Sequence, residues 1–345
     1  MTTFHSSGVQ YNRGMRSVFY PHLVNGPFGD PALYVRIAHR GQALLFDCGE
    51  LQALSPRELL KLHAVFVTHA HIDHLIGFDH LLRTFLYLDR QLYIYGPAGL
   101  IDQISHRLAG YTWNLIAGYH FVLTVREWVA GEVRECSFHA ENRFAPGPLC
   151  SWPSVDGCLI ATPDWTVRVE SLSHGSINSL AFSLEETLHV AIHKDALIAH
   201  GYQPGSWLTQ FKGLVRRAEP DCHELEVPLA QGGLKVVSLG VLKQTISHCE
   251  AGMKVVYVAD AAPTTENIQK IITLARNANL LVIEAAFAHA DLDRARQRHH
   301  LTARLSGELG REAGAARLLV FHHSPRYQRT PDLLRKESVA AFTGE

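Results

Sequence analysis

Four side chains able to hold a metal ion lie within six residues of this chain, His69, His71, Asp73 and His74, in the run Thr68-His69-Ala70-His71-Ile72-Asp73-His74. The strand-like Ala64-Val65-Phe66-Val67 leads into the run, and Leu75-Ile76-Gly77 follows as the opening of a helix. An extended chain sends residues two apart to the same side, so His69 and His71 share a direction. The turn into the helix then brings Asp73 and His74 round to a neighbouring point. Such a cluster serves two metals better than one: zinc takes imidazole nitrogen and carboxylate oxygen readily, and hydrolytic two-metal sites hold their ions about 3.5–4 Å apart. The bland alternative is an exposed histidine-rich turn or ordinary core histidines, the better account of a lone histidine. H-x-H-x-D-H directly after an apolar strand demands far more positional agreement than that.

The rest of the chain must supply the frame. With 345 residues and 47% apolar side chains it can bury a full core, and its composition excludes disorder, collagen and coiled coil. A formal net charge of −1 provides no global field toward nucleic acid or an anionic membrane, so any polyanion would meet a local patch. No stretch approaches the roughly 18 consecutive apolar residues of a membrane span, and Met1-Thr2-Thr3-Phe4-His5 opens no basic-then-apolar leader; a cytoplasmic address is expected. The six cysteines form no C-x-x-C pair and read as reduced thiols rather than zinc knuckles. The 22 histidines are the unusual feature, because histidine is the commonest metal ligand.

Apolar, strand-like runs occur at 32–38, 42–47, 64–68, 92–95, 166–172, 179–184, 255–259, 280–284 and 317–321. Helical spacing occupies 74–89, 97–109, 264–276, 300–313 and 331–342, with Pro97 and Pro331 where a first turn tolerates them. The fold class is therefore α/β, with one domain over 1–345. From 185 to 250 the alternation weakens, interrupted by Gly201, Pro204, Gly205, Gly232 and Gly233, as expected of an inserted, arm-like segment.

The histidine run resembles the signature of the metallo-β-lactamase superfamily, which implies a four-layer αββα sandwich with a metal site at one edge. Further elements follow in the family's order. Phe46-Asp47-Cys48-Gly49-Glu50 resembles its upstream aspartate motif, Leu172-Ser173-His174-Gly175 its third-histidine motif, Val258-Ala259-Asp260-Ala261 its bridging-aspartate motif and Phe321-His322-His323-Ser324 its final-histidine motif. The resemblance implies two divalent ions, zinc with manganese as the other candidate. One would be bound by His69, His71, His174 and Asp260, the second by Asp73, His74, Asp260 and His322, with His323 competing for the last place. A bridging role suits Asp260, since a carboxylate has two oxygens to share and a neutral imidazole offers one nitrogen.

Within the superfamily the chain is similar to the ribonuclease Z branch, endonucleases that remove 3′ trailers from precursor transfer RNA. Asp47-Cys48-Gly49-Glu50, Tyr95-Gly96-Pro97-Ala98-Gly99-Leu100, Ile283-Glu284-Ala285-Ala286-Phe287, His300-Leu301-Thr302 and the ending His322-His323-Ser324-Pro325-Arg326-Tyr327 carry that likeness. Tyr202-Gln203-Pro204-Gly205-Ser206-Trp207-Leu208 is similar to a stretch of the branch's RNA-gripping arm. Departures are the absence of the family's opening Gly-Thr loop before Ala32, Ala259-Asp260-Ala261 in place of Gly-Asp-Thr, and a glutamate loop without its His and Thr. By resemblance, Asp73 binds the second metal and activates the nucleophile, and His300, kept charged by Glu284, protonates the leaving 3′-oxygen. A structural ion pair or helix-start contact is the other reading of Glu284 and His300. Family likeness also implies a homodimer in which one subunit's arm serves the other's site. The segment 185–250 holds six Lys or Arg against eight Asp or Glu, so any grip on precursor tRNA there would come from Lys194, Lys212, Arg216 and Arg217. Arg294, Arg296 and Arg298 precede His299 and His300; guanidinium forks suit phosphate oxygens, while Asp291 and Asp293 would make the same stretch an ordinary solvated edge. A hydrolase for a small ester, thioester or lactam and a non-catalytic binding protein are the competing functions.

Overall fold

A computed structural model describes residues 18–38 and 40–345. The opening Met1–His5, on which the expected address rests, lies outside them. Two sheets face each other, with helices on both outer sides. The first sheet runs in chain order, β1 (Phe19–Leu23), β2 (Leu33–Ile37), β3 (Ala43–Phe46), β4 (Leu62–Phe66), β5 (Gln91–Pro97), β6 (Val122–Val129), β7 (Glu132–His139) and β8 (Cys150–Pro153). Within it β3, β4, β5 and β6 are mutually parallel. Strands buried on both faces need continuous apolar runs, which Ala43-Leu44-Leu45-Phe46 supplies, every residue of it buried. Helices α1 (Pro56–Leu59), α2 (Ile72–Leu75), α3 (Phe78–Phe85) and α4 (Leu100–Ala109) cover its outer side, where Leu81, Phe85, Ile104 and Leu108 close an apolar cluster with Leu45, Val65 and Ile94.

The second sheet has the order β18-β17-β16-β11-β10-β9. Its strands are β9 (Cys158–Ala161), the long hairpin of β10 (Trp165–His174) and β11 (Ile177–Glu186), and, after an insertion, β16 (Lys254–Val258), β17 (Leu280–Glu284) and β18 (Leu318–Phe321). The insertion holds β12 (His189–Ile192), α5 (Lys194–Ala199), α6 (Trp207–Arg216), β13 (Glu224–Pro228), β14 (Leu234–Ser238), α7 (Leu239–Ile246) and β15 (Ser247–Glu250). Helices α8 (Thr265–Ala275), α9 (Leu292–Gln297), α10 (Ala303–Glu312) and α11 (Leu333–Thr343) belong to the second half; Ile271, Ala275, Leu309 and Leu334 pack against the outer side of the second sheet. A third apolar layer fills the space between the sheets: Phe46, Phe66 and Tyr95 from one, Phe182, Tyr257, Val282 and Phe321 from the other. The result is the αββα sandwich. Among the described residues no helix is long and apolar enough to cross a membrane.

The insertion is more ordered than its broken alternation implies. Glu185 and Glu186 still belong to β11, where Glu185 pairs with Lys254 of β16, so the excursion begins after them. β12 and β15 pair antiparallel as a stem, β13 and β14 as a hairpin, and Trp207, Phe211, Leu214, Leu239 and Leu242 fill a separate core. Arg216, expected among the RNA-gripping cations, is spent otherwise. Its guanidinium reaches Asp164 and Glu186 of the second sheet's side and donates to the Leu188 carbonyl at 3.0 Å, fastening α6 to the sandwich. Arg217 lies 3.5 Å from Glu219.

The single helix expected over 74–89 is two. Gly77 separates α2 from α3 because the chain there touches another loop: its N–H donates to the Cys48 carbonyl at 2.9 Å, and a Cβ at Gly77 would stand 2.1 Å from the Gly49 oxygen. Pro97 closes β5 rather than opening α4, since β5 stays paired with β6 out to Pro97 and Trp128. β6 and β7, absent from the sequence reading, carry charge into the ladder: Arg126 and Glu135 pair across it at 2.6 Å, which masks the apolar alternation.

Candidate metal centre

Parallel strands end on the same side of a sheet, and the candidate residues occupy those ends. In the first sheet Asp47 follows β3, and Thr68 and His69 follow β4. In the second, Asp260 follows β16, Glu284 closes β17 and His322 follows β18, while His174 ends β10, which runs the same way as β16 two antiparallel steps removed. The crevice beyond the carboxyl ends of parallel strands is where open α/β sheets place their ligands. Stacked aromatics lie beneath it, Phe46 on Phe66 with centroids 5.0 Å apart and Tyr257 on Phe321 at 5.1 Å, each one to three residues before a candidate. Asp47, Asp260 and His322 leave their strands with left-handed backbones, φ 57°, 48° and 57°. That region is sparsely populated by residues with a Cβ, and three instances along one edge are the kind of local strain that functional turns retain.

Asp260 stands between two groups of donors. Its Oδ2 lies 3.5 Å from His69 Nε2 and 3.6 Å from His174 Nε2; its Oδ1 lies 3.0 Å from His322 Nε2 and 3.6 Å from His74 Nε2. His71 Nδ1 approaches His69 Nε2 to 2.8 Å. Asp73 Oδ2 is 3.6 Å from His74 Nε2 and 3.8 Å from His322 Nε2. One donor atom each from His69, His71, His174 and Asp260 falls within 4.8 Å of the others, and the same holds for Asp73, His74 and His322. His74 Nε2 and Asp260 Oδ1 are buried without a hydrogen-bond partner. Unpaired buried polar atoms are costly, and a divalent cation is the partner that satisfies an imidazole nitrogen and a carboxylate oxygen together. The donor set therefore fits divalent metal, with Asp260 facing both positions.

The surroundings fix each donor. Asp47, wholly buried, accepts from the Thr68 N–H at 2.7 Å and the Tyr257 hydroxyl at 3.0 Å, and its Oδ2 lies 2.8 Å from His74 Nδ1. With Nδ1 so engaged, His74 presents Nε2 to the site, the arrangement by which carboxylates orient metal-binding imidazoles. His174 Nδ1 donates to the His299 carbonyl at 2.9 Å, which likewise turns Nε2 toward Asp260. Gly175 in the hairpin turn, at φ +68°, lies against the His299 ring, and a Cβ there would come within 2.6 Å of it. Burial holds the His69 imidazole neutral, down to about 2, despite Asp260 beside it. Burial alone would raise the Asp260 carboxyl, yet His322 and His74 hold it well below the usual carboxylate range.

Glu284, fully buried, spans the two remaining parts. Its Oε1 accepts the Ala261 N–H at 2.6 Å, tying it to the Asp260 turn, and its Oε2 meets His300 Nδ1 at 2.8 Å. Burial would lower the His300 pKa, but Glu284 outweighs it and raises it to about 9, so the imidazolium persists at neutral pH. His300 Nδ1 is also 4.0 Å from Asp260 Oδ1. His323, the competitor for the final ligand, is turned away: its Nδ1 bonds the Ala285 carbonyl at 2.9 Å and its ring packs edge-on to Phe28. Tyr257, Thr68 and the His299 carbonyl were not singled out from the sequence. Only Tyr257, a polar tip in an otherwise apolar strand, carried a readable signal. Asp73, His300 and His322 open onto a cleft of about 500 Å³ that Phe287, Arg294, Arg298 and Arg326 also line.

Residues 42–142 match the family model described as a Beta-lactamase superfamily domain. The chain is 28% identical to a Ribonuclease Z of Deinococcus radiodurans over 89% of this chain and 90% of that one. It is 30% identical to a Ribonuclease Z of Shouchella clausii over 90% of this chain and 86% of that one. Among solved structures, the metallo-beta-lactamase fold protein YhfI from Bacillus subtilis superposes with a TM-score of 0.52 at 19% identity, covering 93% of this chain and 92% of its own.

Proposed function

The chain belongs to the ribonuclease Z family of metal-dependent hydrolases, and from that premise we propose that it is a phosphodiesterase that removes 3′ trailers from precursor transfer RNA. The observation that carries this reading is the Glu284–His300 pair, a charged acid held 2.8 Å from its carboxylate at the rim of the Asp260 cluster. Release of a ribose 3′-oxygen, a poor leaving group, requires such a proton donor, whereas an activated ester does not.

In this reading His69, His71, His174 and Asp260 would hold one divalent ion, and Asp73, His74, Asp260 and His322 would hold a second. Bound there, two such ions supply Lewis acidity toward the phosphoryl oxygens and make a water nucleophile available near neutral pH. The imidazole-rich donor set favours zinc, and the carboxylates admit manganese. Asp73, about a third exposed at the cleft, orients the attacking water and takes its proton. The new O–P bond forms as the bond from phosphorus to the 3′-oxygen breaks, and His300 gives its proton to that oxygen. Glu284 keeps His300 charged and, through the Ala261 N–H, in register with Asp260. Asp47 acts at one remove by fixing His74.

The insertion, residues 187–253, serves in this proposal as the arm that reaches substrate, in a homodimer where it addresses the partner's cleft. Its own apolar core supports a rigid projection. A cytoplasmic address follows from the substrate. The same protein, loaded with zinc or with manganese, is to be offered precursor tRNA, bis(p-nitrophenyl) phosphate and p-nitrophenyl acetate. Cleavage of the two diesters with little action on the acetate is the expected result; the reverse preference refutes the reading and makes the chain an ester hydrolase.

A further inference from the structure

The cleft beside Asp73, His300 and His322 is lined by three guanidinium groups, and they are not equivalent. Arg326 is committed to the protein. It lies 3.2 Å from Asp291, whose carboxylate also accepts from the Tyr327 hydroxyl, and Tyr327 in turn takes the Ala288 N–H at 3.1 Å. Arg326 and Tyr327 thus clamp the loop that follows β17. Asp291, which could have neutralised the arginines of α9, is used up in that clamp.

Among the described residues Arg294 and Arg298 have no side-chain partner of their own. Four apart, they share one face of α9 and its end, where like charges repel each other, and both face the cleft. Arg296, between them in sequence, does not line it. Two unpaired guanidinium forks converging on a cleft whose single carboxylate, Asp73, belongs to the metal cluster form a site for an anion with several oxygens. Their position selects which anion. They lie on α9 and its end, Arg298 two residues before His300, and line the same cleft as His300; His300 serves the departing 3′-oxygen in the reading above, so the retained end of the RNA is the part assigned to them.

We propose that Arg294 and Arg298 form a subsite for the phosphate immediately upstream of the scissile bond, so that this enzyme grips the retained end of its RNA at the cleft. The inference rests on the phosphodiesterase reading above and gives it a substrate class: an RNA carrying at least one further phosphate on the 5′ side. It also accounts for how an enzyme whose insertion, residues 187–253, holds six Lys or Arg against six Asp or Glu and spends Arg216 internally can still hold a polyanion.

The test is steady-state cleavage of a 3′-extended RNA hairpin whose first upstream linkage is either an ordinary phosphate or a neutral methylphosphonate, with bis(p-nitrophenyl) phosphate run in parallel. For the parent, neutralising that linkage is expected to lower kcat/KM about 10- to 100-fold, chiefly through KM, as for one or two charge-assisted hydrogen bonds. Arg294→Ala/Arg298→Ala should show that loss already with ordinary RNA and little more with the neutral linkage. The salt slope of its binding should fall by about 0.7 per phosphate contact removed. Arg296→Ala, an equal change of charge per residue on the same helix, should match the parent. If the double variant remains as sensitive to neutralisation as the parent, or if Arg296→Ala reproduces its defect, the subsite is refuted while the phosphodiesterase reading stands. If the parent cleaves neither RNA nor the small diester, that reading fails and the subsite with it.

Discussion

Replacing Glu284 by glutamine tests whether the buried carboxylate acts through charge or only through shape. The side chain is fully buried, and one oxygen accepts the Ala261 N–H at 2.6 Å, a bond the amide oxygen of glutamine can keep. The other oxygen faces His300 Nδ1 at 2.8 Å and is the main reason that imidazole rises to about 9 despite its burial. Removing the charge lets burial pull His300 back toward its ordinary value near 6.5, with Asp260, 4.0 Å away, the remaining carboxylate that opposes it. A general acid works in its protonated form, so a raised pKa extends activity upward in pH and its loss withdraws the alkaline limb. At pH 8 the protonated fraction falls from about nine-tenths to about three-hundredths, a loss of about 30-fold in kcat on RNA, while at pH 6 the two proteins differ by less than about twofold. Cleavage of the RNA hairpin between pH 5.5 and 9.5, with metal content measured on both proteins, reads this directly. A Glu284→Gln deficit of equal size at pH 6 and pH 8, with metals retained, refutes the charge argument and leaves Glu284 as an anchor for the Asp260 turn.

Elemental analysis after reconstitution should find two divalent ions per chain; Asp260→Ala, which removes the one carboxylate facing both donor groups, should retain at most one, and equal occupancy in the two proteins would count against a dinuclear centre. Asp73→Ala should abolish hydrolysis of every phosphodiester. His300→Ala should keep its metals and lose about 10²–10⁴-fold on RNA but much less on the nitrophenyl diester, whose leaving group needs no proton; equal losses on the two substrates would remove His300 from the acid role. Arg216→Ala strips Asp164 and Glu186 of a largely buried partner and should destabilise the attachment of the insertion by about 2 kcal/mol. Faster limited proteolysis within 187–253, with small-diester turnover preserved, is the expected signature.

The gathering of seven candidate ligands at one edge was legible because each interrupts or follows an apolar run. A polar residue directly after Val-Phe-Val, Tyr-Val-Ala or Leu-Val-Phe marks a strand end, and parallel strands end together. What orients those residues was not legible. Asp47 meets Tyr257 across 210 positions of sequence, and His174 is turned by a carbonyl 125 positions away; neither contact leaves a trace in local spacing. The break at Gly77 has the same origin, since only the approach of the Cys48–Gly49 loop makes a glycine necessary there. β6 and β7 escaped notice because a cross-strand ion pair replaces apolar residues at the positions where alternation is sought.

Charge counting also went only partway, for a reason with consequences for function. Net charge over 185–250 describes a segment, whereas a phosphate meets individual guanidinium groups, and availability depends on what each already holds. Arg216 looked like a candidate grip and is a rivet between α6 and the second sheet. Asp291 and Asp293 together were the expected counterions of Arg294, Arg296 and Arg298, yet Asp291 is held by Arg326 and Tyr327. The first reassignment takes one cation from the insertion's grip, and the second leaves Arg294 and Arg298 available at the wall of the cleft. A long RNA held mainly there would lose affinity for the retained end once its 3′ extension has gone only if further contacts lie on the trailer side. Competition of mature tRNA against the precursor should therefore be strong, with an inhibition constant close to the KM of the substrate, and should weaken in Arg294→Ala/Arg298→Ala. Product that competes poorly against the parent enzyme would place the grip on the trailer and contradict the upstream assignment.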